Sequence, residues 1–142
     1  MKISARNVFE GTITALTDGQ VNAEVEVTTP GGDRIVAIVT EGSVASLGLA
    51  VGQPANAYVK APWVMVMAGD GGVKFSARNQ LAGVVDGVQK GAVNSDVAIR
   101  LAGGTLVHAV ITNEAALELG LKPGAPACAL IKASHVVLGV PA

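Results

Sequence analysis

The stretch Lys2–Asn7 reads KISARN, and the same pattern returns as KFSARN at Lys74–Asn79. Internal repeats are tested first, because a missed repeat misassigns the whole fold. Residues 2–68 align with residues 74–140 at an offset of 72 without a gap, and 24 of the 67 aligned pairs are identical. The chain is therefore a tandem duplication of one module.

The duplication predicts two domains, residues 1–69 and residues 73–142, joined by a short glycine-rich linker. In each copy, alternating segments such as EVEVTT and DVAIRL are typical of half-buried strands. A glycine pair precedes the β-branched runs RIVAIVT and LVHAVIT, which indicates a hairpin turn before a strand.

One segment of each copy is different, because a threonine at an N-cap position, Thr40 or Thr112, opens it and Gly48 or Gly120 closes it. This framing is typical of a short helix. The predicted fold class is mainly β, with two tandem OB-like five-stranded barrels that carry one short helix each.

Composition excludes several classes of protein. Half of the residues are apolar and 3% are aromatic, while 10 Lys and Arg face 11 Asp and Glu. Without a basic surplus, the chain is not expected to bind nucleic acid. The single cysteine, Cys128, fits a reducing compartment. No signal-like start and no apolar run of membrane length occur, so we expect a cytoplasmic protein with no membrane partner.

The charges that survive duplication indicate a site. Six of the ten basic residues match across the offset, whereas one acidic pair does, Glu24 with Asp96. Solvated surface charges would be expected to drift alike in both signs, and that reading stays open because the residues are few. The alternative is an anion site that was built once and then duplicated. The matched basic pairs are Lys2/Lys74, Arg6/Arg78 and Lys60/Lys132.

Polar neighbours favour an oxyanion as the ligand. Arg6 lies between Ser4 and Asn7, and Thr40 and Ser43 lie where the first helix begins. A helix N-terminus offers backbone N–H groups and partial positive charge. These groups are expected to surround a dianion with no acceptor facing it. Two alternatives remain: the threonines are plain N-caps, and the asparagines are residues that bond the backbone of a turn.

The SARN motif, Thr-x-x-Ser before Leu-Gly-Leu, and Lys-Ala-Pro-Trp at 60–63 together resemble the Mop, or molbindin, domain. The resemblance covers nearly the whole chain, once per copy, as in the tandem-Mop molbindins of molybdenum homeostasis. It implies OB-like modules that assemble as a homotrimer of double modules. It also implies that molybdate, with tungstate possible, binds as a ligand at interfaces between modules for intracellular storage, without a cofactor.

The family's ligands carry over to matching positions of both copies. Ala115 stands where Ser43 does, so a hydroxyl contact is lost there while the backbone N–H remains, and Ser134–His135 replaces Pro62–Trp63. The SARN segment is expected to form one half of each site, with the helix start and the Lys-Ala strand of a neighbouring module as the other half. The predicted molybdate-binding residues are Ser4, Arg6, Asn7, Thr40, Ser43, Lys60, Ser76, Arg78, Asn79, Thr112, Ala115 and Lys132.

Other functions find little support in the sequence. No P-loop motif occurs, nothing resembling a helix-turn-helix precedes the first SARN, and the two histidines match neither Cys128 nor an acidic cluster. We therefore expect no enzyme activity, no catalytic residues and no metal-cation site. The alternative function is an OB-type interaction module for single-stranded nucleic acid or a protein partner, which normally uses stacking aromatic residues.

Overall fold

The computed structural model describes residues 2–69 and 72–142. Each sequence copy contributes five strands, one α-helix and one 3₁₀ turn in the same order. The first copy forms β1 (Asn7–Thr17), β2 (Asn22–Thr28), β3 (Arg34–Thr40), α1 (Glu41–Leu47), β4 (Pro54–Val59), a first 3₁₀ turn (Ala61–Trp63) and β5 (Met65–Ala68). The second copy forms β6 (Asn79–Lys90), β7 (Asn94–Leu101), β8 (Leu106–Thr112), α2 (Asn113–Glu118), β9 (Pro126–Ile131), a second 3₁₀ turn (Ala133–His135) and β10 (Val137–Gly139).

The strands follow the predicted two-residue alternation. In β2, Ala23, Val25 and Val27 are buried, while Glu24 and Glu26 lie on the opposite, partly exposed face. The core is made of such positions from both copies, and its members are mostly valine, isoleucine, leucine and alanine. Phe9 is the aromatic residue among the largest fully buried side chains. A core of small residues is consistent with the low aromatic content.

Each sheet takes one strand from the other copy. The first sheet has the order β10-β4-β1-β2-β3, and the second has the order β5-β9-β6-β7-β8. The last strand of each copy therefore crosses over and pairs antiparallel with the fourth strand of the other, with Leu138 opposite Ala57 and Val66 opposite Ala129. Neither sheet has five strands without both copies.

The predicted fold class is confirmed: the chain is mainly β, with two OB-like five-stranded sheets and one short helix per copy. The exchange of β5 and β10 lies outside what the sequence indicated. The domain limits 1–69 and 73–142 describe the repeat in the sequence and remain a prediction as structural boundaries. Among the described residues, no helix is long and apolar enough to cross a bilayer.

A glycine contact joins the two hairpins that precede β3 and β8. A Cβ atom on Gly31 would collide with the carbonyl oxygen of Gly103, and one on Gly103 would lie 2.6 Å from the carbonyl oxygen of Gly31. Asp33 closes the contact, because its carboxylate accepts hydrogen bonds from the N–H groups of Gly103 (2.9 Å) and Thr105 (3.2 Å). The glycine pairs thus serve a contact between copies as well as a turn.

Candidate functional site

The asparagine of each SARN motif is a bridge between the two copies. Asn7 is 1% exposed, donates to the carbonyl of His108 (2.8 Å) and accepts from its N–H (2.7 Å). Asn79 is 2% exposed and makes the same pair of bonds with Val36, at 2.8 and 2.7 Å. Each carboxamide therefore pairs with the backbone N–H and C=O of one residue on β8 or β3 of the other copy, as a neighbouring strand would. Their assignment as ligands stays a prediction, and their observed contacts are with backbone.

The arginine of each SARN motif forms an ion pair with the other copy. Arg6 Nη1 lies 2.6 Å from Asp96 Oδ2, and the second oxygen of Asp96 lies 3.0 Å from His108 Nδ1. Arg78 contacts Glu24 through both Nη atoms, in a bidentate fork. Each guanidinium group therefore already has a carboxylate partner, on β2 or β7, whereas the sequence predicted a site for a dianion with no acceptor facing it.

This pairing explains why one acidic pair survived duplication. Glu24 and Asp96 are the matched acids of the chain, and they are the partners of the matched arginines. Arg6 and Arg78 have side chains that are 56% and 52% exposed, so solvent and a ligand still reach them. Such half-exposed pairs contribute little to stability. Their main consequence is to fix where each guanidinium lies.

The helix starts carry the predicted hydroxyl groups. Thr40 caps α1 by accepting from the N–H of Ser43 (3.0 Å), and the two hydroxyl oxygens are 2.9 Å apart. Thr112 caps α2 in the same way, by accepting from the N–H of Ala115 (3.1 Å). The N-cap prediction is confirmed. The Ala115 N–H, offered to the ligand by the sequence interpretation, is occupied by this cap.

The lysines follow strand β4 or β9 and stand at the start of a 3₁₀ turn. Lys60 comes directly after Val59, which is the register partner of Asn7, so it lies beside the SARN segment of its own copy. Lys132 follows Ile131, the partner of Asn79, in the same way. The sequence interpretation placed the lysine with the neighbouring helix start. The register instead groups it with the SARN motif.

Both 3₁₀ turns pack against a strand of the other copy, the first on β8 and the second on β3. The ion pairs, which reach β2 and β7 beside the strands that lead into α1 and α2, predict two composite sites, each with the helix start of one copy and the SARN motif and lysine of the other. The α1 site consists of Thr40 and Ser43 with Ser76, Arg78, Asn79 and Lys132. The α2 site consists of Thr112 and Ala115 with Ser4, Arg6, Asn7 and Lys60.

A pocket of about 320 Å³ opens at the α1 site. Thr40 and Ser43 line it on one side, and Ser134 and Val136 of the second copy line it on the other. Ser134 therefore brings a third hydroxyl to this helix start. Among the described residues, neither Arg78 nor Lys132 lines this pocket, so the structure brings the hydroxyl groups together more closely than the cations.

A second pocket, of about 320 Å³, lies where β6 ends and β7 begins, and of the residues assigned to the α2 site only Arg6 lines it. Here Arg6 lines the pocket with Lys90, Asn94 and Asp96. Asn94 is the register partner of Thr112, so this pocket adjoins the start of α2. In this site the structure brings two cations together. Ser4 and Ser76 are exposed in the segments before β1 and β6, two residues from their arginines.

A carboxyl pair lies beside the α1 site. Glu41 directly follows Thr40, and a hydrogen bond with the Asp18 carboxyl raises the pKa of Glu41. Desolvation and the charge of Asp18 act in the same direction, while a hydrogen bond with the Gly19 backbone opposes them. At the matching position of the second copy, Asn113 bonds Gly91 O and Ser95 Oγ instead. The two helix starts therefore have different charge environments.

No group of three or more His, Cys, Asp or Glu in residues 2–69 and 72–142 is arranged to hold a metal ion. The candidate sites combine basic, hydroxyl and amide groups, which suit an anion, with the Glu24 and Asp96 carboxylates that pair with the arginines. The two positions that differ most between copies, Trp63 and His135, are in ring contact at 5.3 Å.

Known protein families match each of the two copies separately. The TOBE domain model matches residues 3–66 and again residues 76–138. The chain belongs to the TOBE-domain family. The resemblance to tandem-Mop molbindins is confirmed by the proteins below.

A solved structure matches this TOBE tandem over its whole length. It is the cytoplasmic molybdate-binding protein ModG in a form with molybdate bound, 55% identical, with a TM-score of 0.94. The match covers 99% of this chain and 100% of that one. Likeness at this level extends to the arrangement of both copies.

Curated relatives match over the same span at lower identity, and they are longer. The molybdenum-pterin-binding protein MopA of Rhodobacter capsulatus is 43% identical over 141 residues, which cover 99% of this chain and 53% of MopA. The molybdenum transport protein ModE of Azotobacter vinelandii is 41% identical over 140 residues, covering 99% of this chain and 52% of ModE. This TOBE tandem thus spans about half the length of the curated relatives it matches.

Several residues of the site were missed from the sequence. Glu24 and Asp96 had a signal in the sequence, because they are the single matched acidic pair and the matched arginines are natural ion-pair partners for them. Ser134 carried no signal, because its role depends on which copy it contacts. Lys90 carried none either, because Asp18 occupies its matching position.

Proposed function

We propose that this chain binds molybdate at the α1 and α2 sites and serves intracellular molybdenum storage and homeostasis in the cytoplasm. The observation that carries the proposal is the joining of matched groups across the two copies. Arg78 of the second copy pairs with Glu24 on β2, and Arg6 of the first copy pairs with Asp96 on β7. The strands next to these, β3 and β8, end at the threonines that cap α1 and α2. The full-length likeness to ModG supports molybdate as the anion.

The chemistry suits a tetrahedral dianion. Guanidinium and ammonium groups donate charge-assisted hydrogen bonds worth about 1.5–3 kcal/mol each, and hydroxyl groups add weaker ones. A few such bonds, less the cost of immobilising a small ion, correspond to micromolar-range binding, on the order of −8 kcal/mol. Tungstate has the same charge and shape and is expected to compete.

In this proposal the asparagines position the site and do not ligate the anion. Both polar atoms of the Asn7 and Asn79 carboxamides are occupied by backbone groups of the other copy. They fix the SARN segment against β8 or β3, so the arginine one residue earlier reaches its place. The sites therefore depend on the asparagines without direct contact.

The proposed assembly is a homotrimer of double modules. Exposed apolar side chains on the last strand of each copy and on the central strands β1 and β6 support self-association, including Val8, Met65, Val84 and Val137. Binding of single-stranded nucleic acid is not favoured, since Trp63 is the exposed large aromatic side chain and it is in contact with His135. We further propose that the chain has no enzymatic activity.

The test is equilibrium dialysis against molybdate in excess sulfate, with elemental analysis and a mass measurement of the assembly. We expect several molybdates per trimer that sulfate does not displace. Arg78→Ala is expected to remove binding at the α1 sites and leave the trimer intact. Arg100→Ala is the matched control, because Arg100 pairs with Asp86 of its own sheet and is equally exposed. Unchanged stoichiometry in Arg78→Ala would contradict the assignment.

A further inference from the structure

The two composite sites differ in the state of their arginines. Arg78 uses both Nη atoms on the two oxygens of Glu24, which closes its fork. Arg6 contacts Asp96 through Nη1, and His108 takes the other oxygen of that carboxylate. Because a guanidinium has five donors in a fixed fork, the arrangement at Arg6 leaves an open edge for an incoming anion.

The sites differ also in the charges around them. At the α2 site, Lys90 lines the pocket together with Arg6. The position that matches Lys90 in the first copy is Asp18, an acid whose carboxyl raises the pKa of Glu41 beside Thr40. The other unmatched charge in a first helical turn is Glu114, which belongs to α2. Near its helix start the first copy therefore has two unmatched acids, Asp18 and Glu41. The second copy has one lysine and one acid, Lys90 and Glu114.

We propose that Lys90 is an anion-binding residue of the α2 site, and that the Arg6–Lys90 pocket binds the dianion more tightly than the α1 site. This inference rests on the proposed function. The α1 site has more hydroxyl groups, since it has Ser43 where the α2 site has Ala115. Charge outweighs that difference, because an ammonium group adds a net Coulomb attraction to the dianion that a neutral hydroxyl group lacks.

The consequence is two classes of site within one chain, filled in order as the anion concentration rises. A unit charge in contact with a dianion in high-dielectric surroundings changes its binding constant by about thirtyfold without screening, and by about three- to tenfold once salt screens the interaction. Lys90 and Asp18 act in opposite directions, so their combined effect separates the classes further.

The test is molybdate titration by calorimetry in backgrounds that retain one class of site. In Arg78→Ala, where α2 sites remain, Lys90→Gln is expected to weaken binding about three- to tenfold, whereas Lys90→Arg is expected to preserve it. In Arg6→Ala, where α1 sites remain, Lys90→Gln is expected to have no effect, and Asp18→Asn is expected to tighten binding. Lys122→Gln, an exposed lysine beyond α2, is the control expected to change neither.

The outcomes separate this inference from the proposed function. No molybdate bound by the unmodified chain would overturn both. Molybdate bound by the unmodified chain, with Lys90→Gln silent in the Arg78→Ala background, would overturn the inference alone. A stronger effect of Lys90→Gln in the Arg6→Ala background would also overturn it. Added salt should shrink the effect of Lys90→Gln if the residue acts through its charge.

Discussion

Single side chains hold the two copies in register. The carboxamides of Asn7 and Asn79 are planar groups with a donor and an acceptor, so each can pair with both backbone groups of one residue. Aspartate lacks the donor, and serine is too short to span both groups. This requirement explains why asparagine, among the polar neighbours of the arginine, recurs in both copies.

Asn79→Ala is expected to destabilise the chain by about 2–4 kcal/mol, because it leaves both backbone groups of Val36 without their partner in a nearly buried place. Urea unfolding measures the change. Gln80→Ala is the control, since Gln80 is exposed and bonds backbone carbonyls of its own segment. A cost for Asn79→Ala no larger than that of the control would rule out the bridging role.

Gly31→Ala is expected to cost about 1–3 kcal/mol, because its methyl group would collide with the backbone of Gly103 and the hairpins would have to separate. Thermal unfolding measures the loss. Gly87→Ala provides the comparison, since a Cβ at that position meets nothing within 4 Å. If both variants melt alike, the contact between hairpins does not constrain the fold.

At the scale of elements, α1 and α2 have matching caps and unlike first turns. Thr40 and Thr112 make the same hydrogen bond to the N–H three residues on. The residue after the cap is Glu41 in one copy and Asn113 in the other, so only α1 carries the carboxyl pair with Asp18. Threonine recurs at the cap because the helix start needs a side-chain acceptor there, whereas the residue after the cap differs between the copies.

Glu41→Gln is expected to stabilise the chain at neutral pH and to have little effect in acid. The pKa of Glu41 is raised in the folded chain, so its contribution to folding is favourable below its ordinary pKa of 4.5 and is lost as the pH rises through the folded value. Melting temperatures of variant and parent at pH 4 and pH 7 provide the test.

Glu114→Gln is the control, because Glu114 lies in the first turn of α2 without a carboxyl partner among the described residues. We expect no gain in stability from it at neutral pH, since an acid in a first turn is favourable. An equal gain from both variants would mean that the Asp18 contact is not the cause.

At the scale of the whole molecule, the exchange of β5 and β10 makes the two sheets depend on each other. Leu138 is buried in the core although it belongs to the second copy by sequence and to the first sheet by pairing. A substitution that weakens β5 or β10 should therefore destabilise the sheet formed mainly by the other copy.

Leu138→Ala is expected to cost about 2–4 kcal/mol and to reduce amide hydrogen-exchange protection in β4 before β9. Val66→Ala, at the matching position, is expected to show the reverse order, because Val66 lies on β5 beside β9. Loss of protection within the same sequence copy in both variants would contradict the exchanged arrangement.

The sequence by itself determined the duplication, the strands and the caps, and it supplied a set of candidate site residues. These features depend on local rules: alternation along EVEVTT and DVAIRL, a threonine before each helix, and a motif repeated at a fixed offset. It singled out the matched basic residues as an anion site but assigned no role to the matched acids, Glu24 and Asp96.

The tertiary structure decided which copy each group serves. The residues of β5 and β10 predict a strand in either arrangement, because local propensity is the same whether the strand pairs within its own copy or crosses over to the other. The crossing of β5 and β10, the bridges from Asn7 and Asn79, and the pairing of Arg6 with Asp96 are contacts between residues far apart in sequence. Only the packed chain brings them together, and it places each candidate site between the two copies.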